Sequence, residues 1–376
     1  MGKEEKIKYY SNKKILSILA QYYVVIGERS NGKTYAFLEL GLKDYCDHGF
    51  QFAYVRRWEE DFKGLRAKEL MKSLICNGND ENKVDEFTNG KFNDIIYQSR
   101  AWYLAKYDRE TDTMVKDTQP FAFAFAISSG EHDKSVSFPF VRMIIFDELL
   151  TRKMYLPNEF VEFMNIISTI VRLRTDVKII MIGNTINATC PYFREMGLKN
   201  IKKMKPNDID VYTYGDTELK VVVEFSDMPK KNKKSNVYFA FNNPKLAMIR
   251  GDGSIWEIGM YPHLPQKYKF DDIVFMYFIK FDDETLQCEI IDGDVGYFTY
   301  IHRKTTPIQN TDDVVFQTEY NIRPNYFRRI NKPYNQIVER IWDFFKQDKV
   351  FYQDNEVGEI VRNYINWCQS STLEEI

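Results

Sequence analysis

The chain is poor in the residues that build metal centres and covalent frameworks. Its five cysteines, Cys46, Cys76, Cys190, Cys288 and Cys368, are scattered, and no two form a C-x-x-C pair. That argues against a zinc site or a disulfide scaffold and suits a reducing cytosol. Only four histidines occur, His48, His132, His263 and His302, without metal-ligand spacing. Long apolar runs are missing too. The longest lies near Phe121 to Ile127, far short of the roughly 20 residues that a membrane-spanning helix needs. No membrane partner is expected. The start, Met1-Gly2-Lys3-Glu4-Glu5-Lys6, is charged and has no apolar signal core, so no leader is expected. Excess charge is also lacking: 52 basic against 54 acidic residues give a formal net charge of -2. A polyanion would have to be met by local basic patches. No internal repeat is visible.

What is present supports a folded protein. The 376 residues make two domains the expectation. With 44% apolar and 15% aromatic residues, the chain can build cores and does not read as disordered.

The most informative stretch is Gly27-Glu28-Arg29-Ser30-Asn31-Gly32-Lys33-Thr34, which fits G-x-x-x-x-G-K-[ST] at every fixed position. A short apolar strand, Tyr22 to Ile26, precedes it. A helix-like segment from Thr34 to Leu42 follows. Strand, glycine loop and helix together point backbone N–H groups and a helix N-terminus at phosphates. In this reading Lys33 reaches the β- and γ-phosphates of ATP and Thr34 holds Mg²⁺.

A second strand, Phe50 to Val55, ends in Arg56 and Arg57, making a parallel crossover unit with the first. Ligands lie beyond the carboxyl ends of such strands, so both arginines are expected on the nucleotide side. Residues 58 to 118 carry mixed signals. Phe121 to Ile127 reads as a strand with alternating large and small faces. Val141 to Phe146 is a buried strand ending in Asp147-Glu148. There Asp147 is expected to hold Mg²⁺ and Glu148 to act as general base.

Residues 158 to 173 read as a helix, with Phe160, Phe163, Met164, Ile167, Ile170 and Val171 on one face. Arg172 points away from that face, while Arg174 falls back towards it or lies past the helix end. Arg172 is therefore the arginine-finger candidate. Another buried strand, Asp176 to Gly183, brings Asn184 to the same edge. Asn184 could sense the γ-phosphate, position water, or simply satisfy a turn.

This series resembles the DNA-packaging ATPases of phi29-type tailed phages, small relatives of the terminase large subunits. The resemblance rests on the phosphate loop, Ala53-Tyr54-Val55-Arg56-Arg57, Lys134 before the Asp147-Glu148 strand, Leu156-Pro157-Asn158-Glu159, Val171-Arg172-Leu173-Arg174, Asn184, and Asn187 through Pro191-Tyr192-Phe193. It covers roughly residues 20 to 195. It implies an α/β P-loop ATPase of the ASCE type, with a parallel sheet and flanking helices. It also implies a homo-oligomeric ring, pentameric in the family, at the portal vertex of a procapsid in the host cytoplasm. That ring pumps double-stranded DNA, and some relatives use a structured packaging RNA. By residue, it implies that Lys33, Thr34 and Asp147 bind nucleotide and metal, that Glu148 is catalytic, and that Arg172 enters the neighbour's site. Lys134 matches a position presented across the subunit interface. Arg56 matches an arginine that can hold the glutamate inactive.

From Lys199 the composition shifts. Lys199, Lys202, Lys203 and Lys205 form one basic cluster, and Lys230, Lys231, Lys233 and Lys234 another. Their lysines, Lys202, Lys203, Lys230, Lys231, Lys233 and Lys234 above all, are DNA-path candidates. The expected boundaries are residues 1–198 for the ATPase domain, 199–264 for a basic linking region, and 265–376 for a smaller α+β domain. Three strands in that last part, near residues 273–280, 286–291 and 296–301, with helices near 334–347 and 356–368, suit a ribonuclease-H-like domain. Asp282, Asp283, Asp292 and Asp294 fall in turns, where local hydrogen bonding accounts for them. A vestigial nuclease that contacts nucleic acid or the portal is the expectation. An active nuclease, a helicase or another oligomeric DNA translocase are the alternatives. A small-molecule kinase would leave Glu148 and Arg172 without a purpose, and a non-catalytic binding module would leave Lys33, Asp147 and Glu148 unexplained.

Overall fold

Runs of β-branched and aromatic residues bounded by turn residues become the strands of two separate sheets. A computed structural model describes residues 9–108, 110–129, 136–226, 259–264, 267–294 and 296–370. Two compact units result. One takes Met1–Thr151 and resumes at Asn158–Asn242; the other is chiefly Glu257–Ile376.

The first unit carries strands β1 (Tyr22–Gly27), β2 (Gln51–Arg56), β3 (Asp94–Gln98), β4 (Ala101–Asp108), β5 (Thr113–Lys116), β6 (Ala122–Ala126), β7 (Val141–Asp147), β8 (Lys178–Asn184), β9 (Ile209–Thr213) and β10 (Lys220–Ser226). Their order is β3-β4-β6-β2-β7-β8-β1-β10-β9, with β5 on β4. The six central strands, β6 to β10 in that order, are parallel. β1, β2, β7 and β8 are buried almost throughout, as strands covered on both faces must be. One strand, β8, separates β1 from β7, so the glycine loop and the acidic pair leave the same sheet edge from non-adjacent strands.

This unit runs past residue 198, the boundary read from the sequence. Residues 209–226, read there as part of a basic linking region, supply β9 and β10. The run Val221-Val222-Val223 is buried, and β10 pairs in parallel with β1 along its whole length. The basic composition on either side masks that apolar core. Residues 58–118 form short helical turns and the antiparallel β3-β4-β5 extension.

In the second unit, β11 (Ile273–Phe281), β12 (Glu284–Gly293), β13 (Gly296–Arg303), β14 (Val314–Gln317), β15 (Tyr326–Phe327) and β16 (Val350–Tyr352) form a sheet ordered β15-β14-β11-β12-β13-β16. β11, β12 and β13 are an antiparallel meander, and β14 and β15 add in parallel on the far side of β11. The helices Gln336–Lys346 and Asn355–Ser370 bring Val338, Ile341, Val357, Val361 and Tyr364 into one core with the strands. Among the described residues, no helix is long and apolar enough to cross a membrane.

Candidate nucleotide site

The loop that follows β1 is tightly packed. Gly27 has φ 157°, and a Cβ there would lie 2.2 Å from Ser226 Oγ. Gly32, at φ 86°, opens the helix Lys33–His48 from the left-handed region, where glycine is unstrained. Asn31 is buried beneath the loop. Its Nδ2 donates to Ser226 Oγ at 2.9 Å, and its Oδ1 accepts from Lys33 N at 3.2 Å. Ser226 Oγ in turn donates to Ile26 O at 2.9 Å.

Lys33 is only 4% exposed. Its Nζ donates to Gly27 O, Glu28 O, Asn31 Oδ1 and Asn184 Oδ1 at 3.1, 2.7, 3.2 and 3.3 Å. Burial pushes its ammonium down to about 7, against the opposing pull of the Asp147 and Glu28 carboxylates. Asn184 therefore belongs to the loop's polar network.

The acidic strand end meets the loop directly. Thr34 Oγ1 donates to Asp147 Oδ1 at 3.1 Å. Asp147 Oδ2 accepts from Tyr54 OH at 2.7 Å and from Arg56 Nη1 at 3.1 Å. Burial, and then the Asp147 charge, hold the Tyr54 phenol well above its ordinary range, so it stays a donor. Arg56 also reaches Glu148, with Nη2 2.8 Å from Oε1, and Asp61, with Nε 3.4 Å from Oδ2. Glu148 sits at φ 63°, a rare backbone for a glutamate, and its side chain is 56% exposed. Hydroxyl and carboxylate oxygens facing each other suit a hard divalent cation. The buried ammonium and the helix N-terminus suit the phosphates of a nucleotide.

Arg57 departs from expectation. It is buried and turns away from the phosphate loop. Its Nε lies 2.7 Å from Glu159 Oε2, while Nη1 and Nη2 donate to Glu148 O and Leu149 O at 3.1 and 3.0 Å. Successive side chains of a strand alternate faces, so neighbouring arginines separate as they leave β2.

Arg172 projects and Arg174 folds back, as read from the sequence, but the helix stops at Val171 and not at 173, so chain geometry past its end, not helical spacing, directs both. The helix Glu159–Val171 ends where Arg172 takes φ 52°. Arg174 folds back past the end, donating to Phe138 O, Pro139 O, Val141 O and Ile170 O at 3.1, 3.1, 2.7 and 2.7 Å. Arg172 is exposed, and its Nη2 donates to Val136 O at 3.1 Å. Apart from Ile170 O, these carbonyls lie at or just before the start of β7, whereas Asp147 ends it. Seven residues of strand span about 20 Å. Arg172 thus lies at the sheet edge opposite to its own Glu148.

Among the basic candidates, Lys202 and Lys203 are exposed on a short turn at Ile201–Lys203, with Ile201 and Met204 anchoring it in the core. That turn leads into β9 beside the end of β10, the edge that also carries the phosphate loop. Lys134, Lys230, Lys231, Lys233 and Lys234 lie outside the described residues. Sequence reasoning missed Tyr54 and Ser226 as site residues. Tyr54 stands two residues before the strand-end Arg56, on the same strand face, and that spacing was the available signal. Ser226 is some two hundred residues from the loop and had none.

Comparison with known proteins places this geometry. The DNA packaging protein of Bacillus phage B103 is 29% identical over 214 residues, covering 56% of this chain and 57% of that protein. The DNA packaging protein of Bacillus phage phi29 is 27% identical over 192 residues, covering 50% of each. The match thus spans about half the length of these curated relatives. Among solved structures, the Phi-28 gp11 DNA packaging motor has a TM-score of 0.53 at 19% identity, covering 96% of this chain and 98% of that one. That likeness is one of fold. The family model for Podovirus DNA encapsidation protein (Gp16) runs from residue 4 to residue 365, through the glycine loop, the acidic strand end and both units, and the chain belongs to that family.

Proposed function

We propose that the protein is an ATPase that drives double-stranded DNA into a viral procapsid, acting as a ring of like subunits at the portal vertex. The observation that carries this reading is the meeting of Thr34 Oγ1 and Asp147 Oδ1 at 3.1 Å, with Glu148 next in the chain. The matched relatives, both DNA packaging proteins, supply the biological context.

ATP with Mg²⁺ supplies the scissile phosphoanhydride bond and the cation that shields its charge. Lys33 and the loop N–H groups bind the phosphates, and Thr34 and Asp147 hold the cation. Asn184 keeps Lys33 aimed into the loop. Glu148 accepts the proton of the attacking water. Arg56, bonded to both carboxylates, holds Glu148 back until substrate or DNA draws it away.

Arg172 completes the site of the adjacent subunit. Arg172 follows the helix Glu159–Val171, so from about 20 Å away it cannot serve its own site without that helix end coming apart. Donor and acceptor on opposite edges of one subunit define a head-to-tail contact, which closes into a ring when the rotation permits. Lys134 joins Arg172 at that contact. Lys202, Lys203, Lys230, Lys231, Lys233 and Lys234 face the DNA, with contacts to phosphate rather than base.

The second unit is a reduced ribonuclease-H-like domain. A three-stranded meander followed by two parallel strands beyond its first strand supports that assignment. Its four aspartates, of which Asp292 lies in β12 and not in a turn as read from the sequence, do not favour a nuclease. Asp282 and Asp283 precede β12, while Asp292 and Asp294 lie at its other end, about 30 Å away for ten residues. Two-metal cleavage needs its carboxylates within one site.

The test is hydrolysis by Glu148→Gln. It should bind ATP and lose at least about 100-fold in rate. A rate within threefold of the parent overturns the assignment. Double-stranded DNA should stimulate the parent enzyme, and neutralising Lys230, Lys231, Lys233 and Lys234 should flatten the salt dependence of DNA binding. An unaltered salt slope removes those lysines from the DNA path.

A further inference from the structure

The hydrolysis scheme uses Arg56 and leaves Arg57 idle, yet Arg57 is the more deeply buried of the two. It is 4% exposed and its partner Glu159 is 2% exposed. Two buried charges are a costly way to fasten a helix, since well-packed apolar side chains of similar size do it as well or better. The fork of the guanidinium does something that packing cannot. One side of it holds Glu159, and the other donates to the main-chain carbonyls of Glu148 and Leu149. Tyr192 OH donates to the remaining oxygen of Glu159 at 3.0 Å, and Phe146 lies beneath the guanidinium, 5.9 Å from its centre.

These contacts join the strained backbone of Glu148 to the start of the helix Glu159–Val171. Glu148 sits in a rarely populated backbone region at φ 63°, so its peptide has a lower-strain alternative. A change there shifts the two carbonyls that Arg57 holds. On the other side, Glu159 is the first residue of the 13-residue helix that ends at Val171. Such a helix is a rigid rod of about 20 Å. Arg172 follows its last residue, and Arg174 ties that end to the start of β7.

We infer that Arg57 is a positioning residue that couples the backbone of Glu148 in one subunit's site to the pose of Arg172, which the same subunit offers to its neighbour. The inference rests on the reading of Arg172 as a residue that acts between subunits. It gives the ring a physical link from the state of one site to the competence of the next.

The experiment mixes two kinds of subunit and reads ATP hydrolysis. An Arg172→Ala subunit accepts an arginine from its neighbour, and a Glu148→Gln subunit only donates one. Glu159→Gln is then added to the donor or to the acceptor. It removes the charge and one of the two acceptor oxygens of the link to the helix and spares the bonds from Arg57 to the carbonyls. In the donor it should lower the restored rate at least tenfold. In the acceptor, at equal co-assembly and thermal midpoint, the restored rate should stay within twofold. Tyr192→Phe, a milder change, should lower the rate about threefold in the donor alone, and it decides the matter if Glu159→Gln fails to fold. Equal effects in both placements, or none in either, would show a structural brace and overturn the coupling. A plain Glu148→Gln donor that restores nothing would overturn the reading of Arg172 itself, and the coupling with it.

Discussion

Arg56 Nη2 lies 2.8 Å from Glu148 Oε1, while Nη1 of the same guanidinium lies 3.1 Å from Asp147 Oδ2. One arginine thus holds the candidate general base and the candidate metal ligand together. The Glu148 side chain is 56% exposed, so the contact to it contributes no more than about 1 kcal/mol. Arg56→Ala should therefore raise DNA-independent hydrolysis by up to about fivefold and abolish most of the stimulation by DNA. Steady-state rates with and without DNA check this. A fall in both rates by the same factor would mean that Arg56 serves only to orient Asp147.

Lys33 gives a pH signature. Burial pushes its ammonium down to about 7 in the free protein, and phosphates bound beside it raise that value again. Above pH 7 the free lysine is increasingly neutral, so binding ATP must take up a proton. Affinity should then fall as pH rises from 7 to 9, by up to about tenfold per unit. Calorimetry in two buffers of different ionisation enthalpy would detect the proton. A buffer-independent enthalpy at pH 8 would contradict the shift. Lys33→Ala should lose both the pH dependence and hydrolysis.

Arg172 and Arg174 should respond in opposite ways. Arg174 donates to three main-chain carbonyls around the start of β7 and to Ile170 O in the last turn of the helix. Its replacement by alanine should lower stability by about 1–3 kcal/mol. Arg172→Ala touches an exposed group and should change stability by less than about 0.5 kcal/mol. Its hydrolysis should nevertheless fall by about 10³ or more. Thermal melts alongside ATPase rates would separate the two, and a destabilised Arg172→Ala would make that residue structural.

Ser226 extends the site beyond the loop motif. Ser226→Ala leaves Asn31 Nδ2 without the acceptor it has now, in a buried setting. An unsatisfied buried donor costs about 1–3 kcal/mol, which should raise the KM for ATP by about fivefold or more. An unchanged KM would mean that Asn31 finds another partner.

Much of this arrangement was legible in sequence because its signals are local. The glycine loop, the apolar run into Asp147-Glu148 and the facial pattern of Glu159–Val171 each lie within about fifteen residues, so propensity and periodicity reach them. The pattern also favoured Arg172 over Arg174 as the projecting residue, although the helix ends before either of them. What it missed was decided by tertiary packing. Which of Arg56 and Arg57 joins Asp147 and Glu148 depends on Glu159, a hundred residues on, which pairs with Arg57. β10 was hidden because three valines within a lysine-rich region look like a loop until β1 is placed beside them. Ser226 becomes a site residue only through that pairing.

The central claim is that each active site takes Arg172 from a neighbouring subunit. The most direct measurement is ATP hydrolysis, in the presence of double-stranded DNA, by Glu148→Gln and Arg172→Ala proteins mixed after each is shown to be inactive alone. The account predicts that the mixture recovers activity, because an intact Glu148 in one subunit meets an intact Arg172 from the next. A mixture that co-assembles and stays inactive, or an Arg172→Ala protein that hydrolyses ATP normally by itself, would contradict it.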